Sequence, residues 1–228
     1  MKFYFIRHGK TLWNLEGRFQ GASGDSPLLE ESIETLKKLG QYLQETPFDV
    51  IYSSDLPRAK TSAQIIQSQL KDRCPLVEIA SLREWQLGKL EGAKFATLEA
   101  IYPEQLKAFR TNLAKFDSTM FGAESVYQTT QRTIQFIKSL ESKPFEHVMI
   151  VGHGANLTAS IRTLLGYDTP LLRKNGGLAN ASVTIVETED FKNQNEDKRH
   201  FWCLSFSVFK NILSHHLIFH SKIEFRTK

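Results

Sequence analysis

Hydrophobic positions along this chain follow two alternating rhythms. Short runs rich in β-branched and aromatic residues, KFYFIRH (2–8), DVIYSS (49–54), VEIA (77–80), HVMIVGHG (147–154) and ASVTIVET (181–188), read as strands. Between them lie longer stretches of helical period. EESIETLKKLGQYLQE (30–45) places Ile33, Leu36, Leu39 or Gly40 and Leu43 on one face, and residues 124–141 and 156–165 are also read as helices. In SSDLPRAKTSAQIIQSQL, Ser54 or Asp55 offers an N-cap and Pro57 stands in the first turn, both favourable helix starts. Residues 84–123 mix loop and helix, with one helix beginning at Pro103. Strands alternating with helices predict an α/β fold with a largely parallel sheet.

Composition changes this picture little. A chain of 228 residues, 41% hydrophobic, is long enough to bury a substantial core. The four apolar residues before Arg7 are too few for a signal peptide, and no stretch approaches a membrane span. The two cysteines, Cys74 and Cys203, are far apart and form no CxxC pair. A reducing cytoplasm is the expected location. The net charge of +4 has a local origin: residues 192–228 hold seven Lys and Arg against three Asp and Glu, and the rest of the chain is balanced. A general nucleic-acid footprint is therefore not expected.

Where charge does matter is at the ends of the strands. In open parallel α/β sheets, ligands bind beyond the carboxyl ends of the strands. The first strand ends in Arg7-His8-Gly9, the second is followed within a few residues by Arg58, and the fourth ends in His153-Gly154. If these strands are parallel neighbours, two guanidiniums and two imidazoles meet at one rim. Such a cluster suits a phosphomonoester, with its negative charge and three acceptor oxygens, because guanidinium offers planar paired donors. The glycine after each histidine would let backbone approach the ligand.

The motifs carrying these residues resemble those of the histidine phosphatase superfamily, which includes cofactor-dependent phosphoglycerate mutase. RHGKTLWNLEGRFQG is similar to RHGxTxxNxxxRxQG, SSDLPRAKTSA to SSxLxRAxxTA, and LREWQLGKLEG to LxExxxGxxEG. FGAES and VGHG follow in the family's order, and the resemblance spans about residues 1–188. It implies a three-layer αβα sandwich of the phosphoglycerate mutase-like type, formed by residues 1–190, with about 85–123 capping the site.

The resemblance also implies roles. His8 would be the nucleophile, forming a phosphohistidine, with its tautomer fixed by a backbone carbonyl. Arg7, Arg58 and His153 would hold the phosphoryl oxygens. Asn14, Gln20 and the Gly21 and Gly154 backbones would be lesser contacts, with Thr11 and Trp13 shaping the loop. Glu84 would be the general acid, which requires that its carboxyl be held protonated. Glu91 is expected to be structural, while Glu124 is open between loop bonding and the pocket rim.

No metal or other cofactor is implied, and the expected partner is a small-molecule phosphate ester. The expected activity is phosphomonoester hydrolysis. The alternatives are a phosphoglycerate mutase and a phosphate-binding module without turnover. Against the mutase, only Arg110 of its paired arginines is present, followed by Thr111. Trp85, Phe95, Tyr102, Phe109, Phe116, Met120 and Phe121 either pack the cap or offer apolar surface to the leaving group. Residues 191–228, rich in His and Phe, depart from the family. They are expected to form terminal strands or an extension, and His216 and His220 make too incomplete a set to hold a metal.

Overall fold

The computed structural model describes residues 1–189 and, as backbone, the strands 201–205 and 222–224. His216 and His220 lie outside the described residues. In chain order the elements are β1 (Lys2–Arg7), α1 (Leu12–Leu15), α2 (Glu30–Leu43), β2 (Val50–Ser53), α3 (Pro57–Gln67), β3 (Leu76–Glu78) and α4 (Phe95–Ile101). They continue with α5 (Pro103–Thr111), α6 (Val126–Ser139), β4 (His147–Gly152), α7 (Gly154–Leu164), β5 (Val183–Glu189), β6 (Phe201–Ser205) and β7 (Lys222–Glu224).

The strands form one sheet in the order β3-β2-β4-β1-β5-β6-β7. β1, β2, β3 and β4 pair in parallel, whereas β5, β6 and β7 join antiparallel to their neighbours. Period-two alternation splits β1 between the two faces of this sheet. Phe3 and Phe5 pack with Ile134 and Ile137 of α6 and Leu157 and Ile161 of α7. Tyr4 and Ile6 pack with Leu36, Leu39 and Leu43 of α2 and Ala59, Ala63 and Ile66 of α3. Helices thus cover both faces, giving the three layers.

Two local features differ from the expectation. Helix α3 is capped by neither Ser54 nor Asp55. Its N-cap is Leu56, with no side-chain cap bond and Pro57 at the first position. Ser54 and Asp55 have other partners, described below. In the middle segment, α4 precedes the helix expected at Pro103, and short 3₁₀ turns at Gly88–Leu90, Leu113–Lys115 and Thr119–Phe121 link the rest. This segment has its own apolar cluster, with Trp85, Leu106, Phe109, Phe116 and Phe121 buried together, apart from the two sheet faces. Phe95, Phe109 and Arg110 of this segment line one cavity together with Arg7 and Gly154, which stand at the carboxyl ends of β1 and β4.

Candidate active site

The parallel pairing brings the strand ends together. Arg7 is the register partner of Gly152, and the His8 amide donates to the Gly152 carbonyl at 2.9 Å. The rings of His8 and His153 lie 5.1 Å apart between centroids, inclined by 60°. Both are almost fully buried.

Each ring is fixed by one bond. His8 Nδ1 lies 2.7 Å from the Gly9 carbonyl. A carbonyl can only accept, so Nδ1 carries the proton and the neutral ring keeps its lone pair on Nε2. Burial, and then the charges of Arg58 and Arg7, hold the His8 pKa well below that of a free imidazole, so the ring is neutral. His153 is pushed in the same direction, first by burial and then by Arg58. Its Nε2 meets the Ser54 hydroxyl at 2.8 Å. Ser54 Oγ also accepts from the Leu56 amide. Ser54 escaped notice as a site residue because a serine before a proline-started helix reads first as a cap.

The arginines differ in how they are held. Arg7 donates through Nη1 to the Leu178 carbonyl at 2.6 Å, while its guanidinium rests on Gly154, where a Cβ would come within 2.8 Å of Nε. Burial lowers the Arg7 pKa, Glu84 raises it and Arg58 lowers it. Arg58 is buried and anchored by the Gly21 and Gly24 carbonyls and by Asp25, at 2.8 to 2.9 Å. It therefore pins the loop that follows Gln20. Asp55, the other candidate cap, instead forms a two-pronged pair with Arg83.

The glycines serve neighbours within the protein. At Gly9 the missing Cβ leaves room for Ser32 Oγ and Leu36, and at Gly154 for Arg7. Gly154 also lines the cavity. The Gly21 amide donates to Glu91, and its carbonyl accepts from Arg58. Glu91 also accepts from the Ser23 and Leu87 amides and so ties two loops together. Glu124 is committed to loop bonding with Arg132, Thr129 and the Gln86 amide. Thr11 caps α1 and donates to Gln20 Oε1 at 2.7 Å. Trp13 fills the space over Gly24 and Gly92. Asn180, a residue with no motif to mark it, donates to both the His8 carbonyl and Asn14 Oδ1.

Glu84 is buried at the start of α7. Its Oε1 accepts from the Trp85 and Asn156 amides, and its Oε2 from the Ala155 amide, at 2.8 to 2.9 Å. Each carboxylate oxygen has two lone-pair directions. Oε1 has used both, so Oε2 is the oxygen with room for a proton.

A cavity of about 220 Å³ opens here, lined among others by Arg7, Asn14, Gln20, Glu84, Trp85 and Gly154. Among the described residues, six buried side-chain polar atoms have no hydrogen-bond partner, and Arg7 Nε, Arg58 Nε and His153 Nδ1 are three of them. Two unpaired guanidinium donors and an unpaired imidazole nitrogen at one rim, beside a neutral imidazole with a free lone pair, suit an anion that carries only acceptor oxygens.

Comparison with known proteins agrees with this chemistry. A family model described as histidine phosphatase superfamily (branch 1) matches residues 3–198, about ten residues beyond the motif-based resemblance. Over 187 residues the chain is 28% identical to the uncharacterized phosphatase PhoE of Bacillus subtilis, covering 82% of this chain and 88% of the relative. It is 32% identical over 192 residues to the probable phosphoglycerate mutase GpmB of Erwinia tasmaniensis, covering 82% and 85%. Among solved structures, Bacillus stearothermophilus YhfR matches with a TM-score of 0.75 and 28% identity, covering 82% of this chain and 91% of that one. A mycobacterial glucosyl-3-phosphoglycerate phosphatase in complex with VO3 matches with a TM-score of 0.74 and 26% identity, covering 82% and 93%. With the family motifs in order, the family match over most of the chain and the imidazoles paired at the strand ends, the chain belongs to the histidine phosphatase superfamily.

Proposed function

We propose that this protein hydrolyses small phosphomonoesters through a phosphohistidine on His8. The observation that carries this reading is that the buried nitrogens Arg7 Nε, Arg58 Nε and His153 Nδ1 lack partners around the free lone pair of His8. In this reading the Ser54 hydroxyl donates to His153 Nε2, so that Nδ1 carries the proton and faces the phosphoryl group. In the first step His8 Nε2 attacks phosphorus and the bond to the leaving oxygen breaks. The electron pair goes to that oxygen, which takes the proton from Glu84 Oε2. In the second step water attacks the phosphohistidine, gives its proton to Glu84, and the phosphorus–nitrogen bond breaks to release phosphate and restore His8.

Arg7, Arg58 and His153 would act mainly on the transferring group, where charge is spread over the equatorial oxygens. Because their donors are buried and directed before substrate arrives, little reorganisation is needed at reaction. Asn14 and Gln20 would add weaker contacts at the cavity wall. Segment 85–123 would cap the site within a catalytic domain of residues 1–190, with 191–228 as an extension. The buried free thiol of Cys74 suits a reducing compartment such as the cytoplasm.

A mutase is the second reading, favoured by the GpmB relatives. It shares the first step and differs in the acceptor. The test is phosphate release from a panel of aryl phosphates, sugar phosphates and phosphoglycerates near pH 6, by the native protein and His8→Ala. Release that disappears in His8→Ala is expected, with inhibition by vanadate, the species bound in the mycobacterial structure. No release from any ester, together with interconversion of phosphoglycerate isomers, would establish the mutase instead.

A further inference from the structure

The cavity holds more positive charge than one phosphoryl group requires. Besides Arg7, its wall includes Arg18, Arg110 and Arg173. Two of these have carboxylate partners: Arg18 with Glu16, and Arg110 with Glu99 at 3.2 Å. Among the described residues, Arg173 has no carboxylate within 4.0 Å. Its Nη1 donates to the Phe109 carbonyl at 2.8 Å, and its guanidinium stacks on the Phe109 ring 4.6 Å from the centroid. Its Nε is buried and has no partner. Burial, followed by the charges of Arg7, Arg110 and Arg162, pulls the Arg173 pKa down to about 10 against the opposing effect of Glu84. It is cationic at neutral pH.

The loop that carries Arg173 is anchored on both sides. Arg162 donates to the Leu172 and Gly176 carbonyls, the Leu178 amide donates to Thr158, and Arg7 donates to the Leu178 carbonyl. Arg173 is thus tied through one short loop to an arginine proposed to bind the phosphoryl group. Burying a guanidinium without an anionic partner is costly. The aromatic face of Phe109 offsets only part of that cost.

Resting on the phosphomonoesterase reading, we infer that Arg173 forms a second anion subsite that recognises an anionic group on the leaving half of the substrate. The substrate class is then a phosphomonoester whose alcohol also carries a carboxylate or a second phosphate, with its apolar part against Phe95, Trp85 and Phe109. Of the aromatic residues expected either to pack the cap or to meet the leaving group, Trp85, Phe95 and Phe109 line the cavity. Arg173 lies on the loop after α7, whereas the basic residue of the mutase-like segment, Arg110, lies on α5.

The experiment is calorimetric binding of non-hydrolysable phosphonates: benzylphosphonate, its 3- and 4-carboxy derivatives and its 4-phosphonomethyl derivative. Each is titrated into the native protein and into Arg173→Gln, which keeps a donor for the Phe109 carbonyl. At least one doubly anionic ligand is expected to bind the native protein about tenfold or more tightly than benzylphosphonate, and Arg173→Gln is expected to abolish that preference. The carboxylate and phosphonate arms separate the two kinds of second anion. A native protein that binds all four equally, or none, overturns the subsite. A preference that survives in Arg173→Gln also overturns it, because a purely structural Arg173 would affect all ligands alike. Because binding is read without turnover, a preference lost in Arg173→Gln in a protein that releases no phosphate from the matching esters would support the subsite while refuting the hydrolase reading. If Arg173→Gln fails to fold, Arg173→Lys replaces it, and unchanged discrimination there counts against recognition by the guanidinium fork.

Discussion

At the strand ends, His8 is held by the neighbouring Gly9 carbonyl, but the other important side chains are held by residues distant in sequence: His153 by Ser54, Glu84 by the first amides of α7, Arg7 by Leu178 and the bare Cα of Gly154. Across the cavity, the covering segment from Trp85 to Phe121 is held differently. Short helices and 3₁₀ turns enclose an aromatic cluster, while Arg110, at the cavity wall, pairs with the exposed Glu99. The strand-end rim leaves its donors unpaired but fixed, which suits a group whose charge must be met without rearrangement. Of this segment, Phe95, Phe109 and Arg110 face the cavity, and Phe109 packs in an apolar cluster apart from the two sheet faces. In the reading proposed above, chemistry belongs to the rim and selection of the leaving group to the cover together with Arg173 on the loop after α7.

If that division is right, substitutions at the rim should lower kcat for every ester and those in the cover should not. The largest effect is expected from Glu84→Gln, which keeps the shape but not the transferable proton. A fall in kcat of about 10²- to 10⁴-fold is expected for alkyl phosphates, and a much smaller one for 4-nitrophenyl phosphate, whose leaving group needs no proton. Equal losses on both substrates in steady-state assays would remove Glu84 from the acid role.

Ser54→Ala comes next. It leaves His153 Nε2 without its partner and frees the ring to carry its proton on either nitrogen. A loss in kcat of about twofold or more is expected, because half or more of the rings would present a lone pair to the phosphoryl oxygens. Stability should fall by about 1 to 3 kcal/mol for the unpaired buried group. An unchanged kcat with reduced stability would make Ser54 merely structural.

Stability itself should depend on pH through the same pair of rings. His8 and His153 have folded-state pKa values well below the unfolded value of 6.5, so below that pH the unfolded chain binds more protons and folding weakens. Above 6.5 both states are neutral at these sites and the effect vanishes. Urea denaturation is expected to show a loss of roughly 2 to 3 kcal/mol between pH 7.5 and 5.5, about half of it removed in His153→Asn. A flat profile would mean that the rings are not held neutral.

The smallest effect belongs to the cover. Arg110→Ala removes an exposed pair with Glu99, so stability should change by less than about 1 kcal/mol. Turnover of simple aryl phosphates should stay within about threefold. A large loss on those substrates would extend the catalytic machinery into the cover.

Strand ends announce themselves because their chemistry is local: Arg7-His8-Gly9 and His153-Gly154 each follow an apolar run, and Arg58 follows Pro57. Hydrophobic period located the strands and most helices, since the faces of α2 and β1 are written in the spacing of their apolar residues. The cover was harder to read. Its helices are short, its 3₁₀ turns have no strong period, and Trp85, Phe109 and Phe121 are drawn together by tertiary packing. Even at the rim, the supporting residues had no signal of their own. Ser54 resembles a helix cap, Asn180 an ordinary loop residue, and Arg173 a surface charge.

Order and spacing by themselves determined which residue types this chain could bring to a phosphoryl group, because strand order and motif chemistry are encoded within short windows. Only the tertiary structure decided which oxygen of Glu84 is open to a proton, which buried nitrogens at the rim lack a partner, and which cavity arginine is left without a carboxylate. Those properties are set by hydrogen bonds and burial between segments up to about 170 residues apart, such as Arg7 with Leu178. No local pattern encodes a partner at that distance.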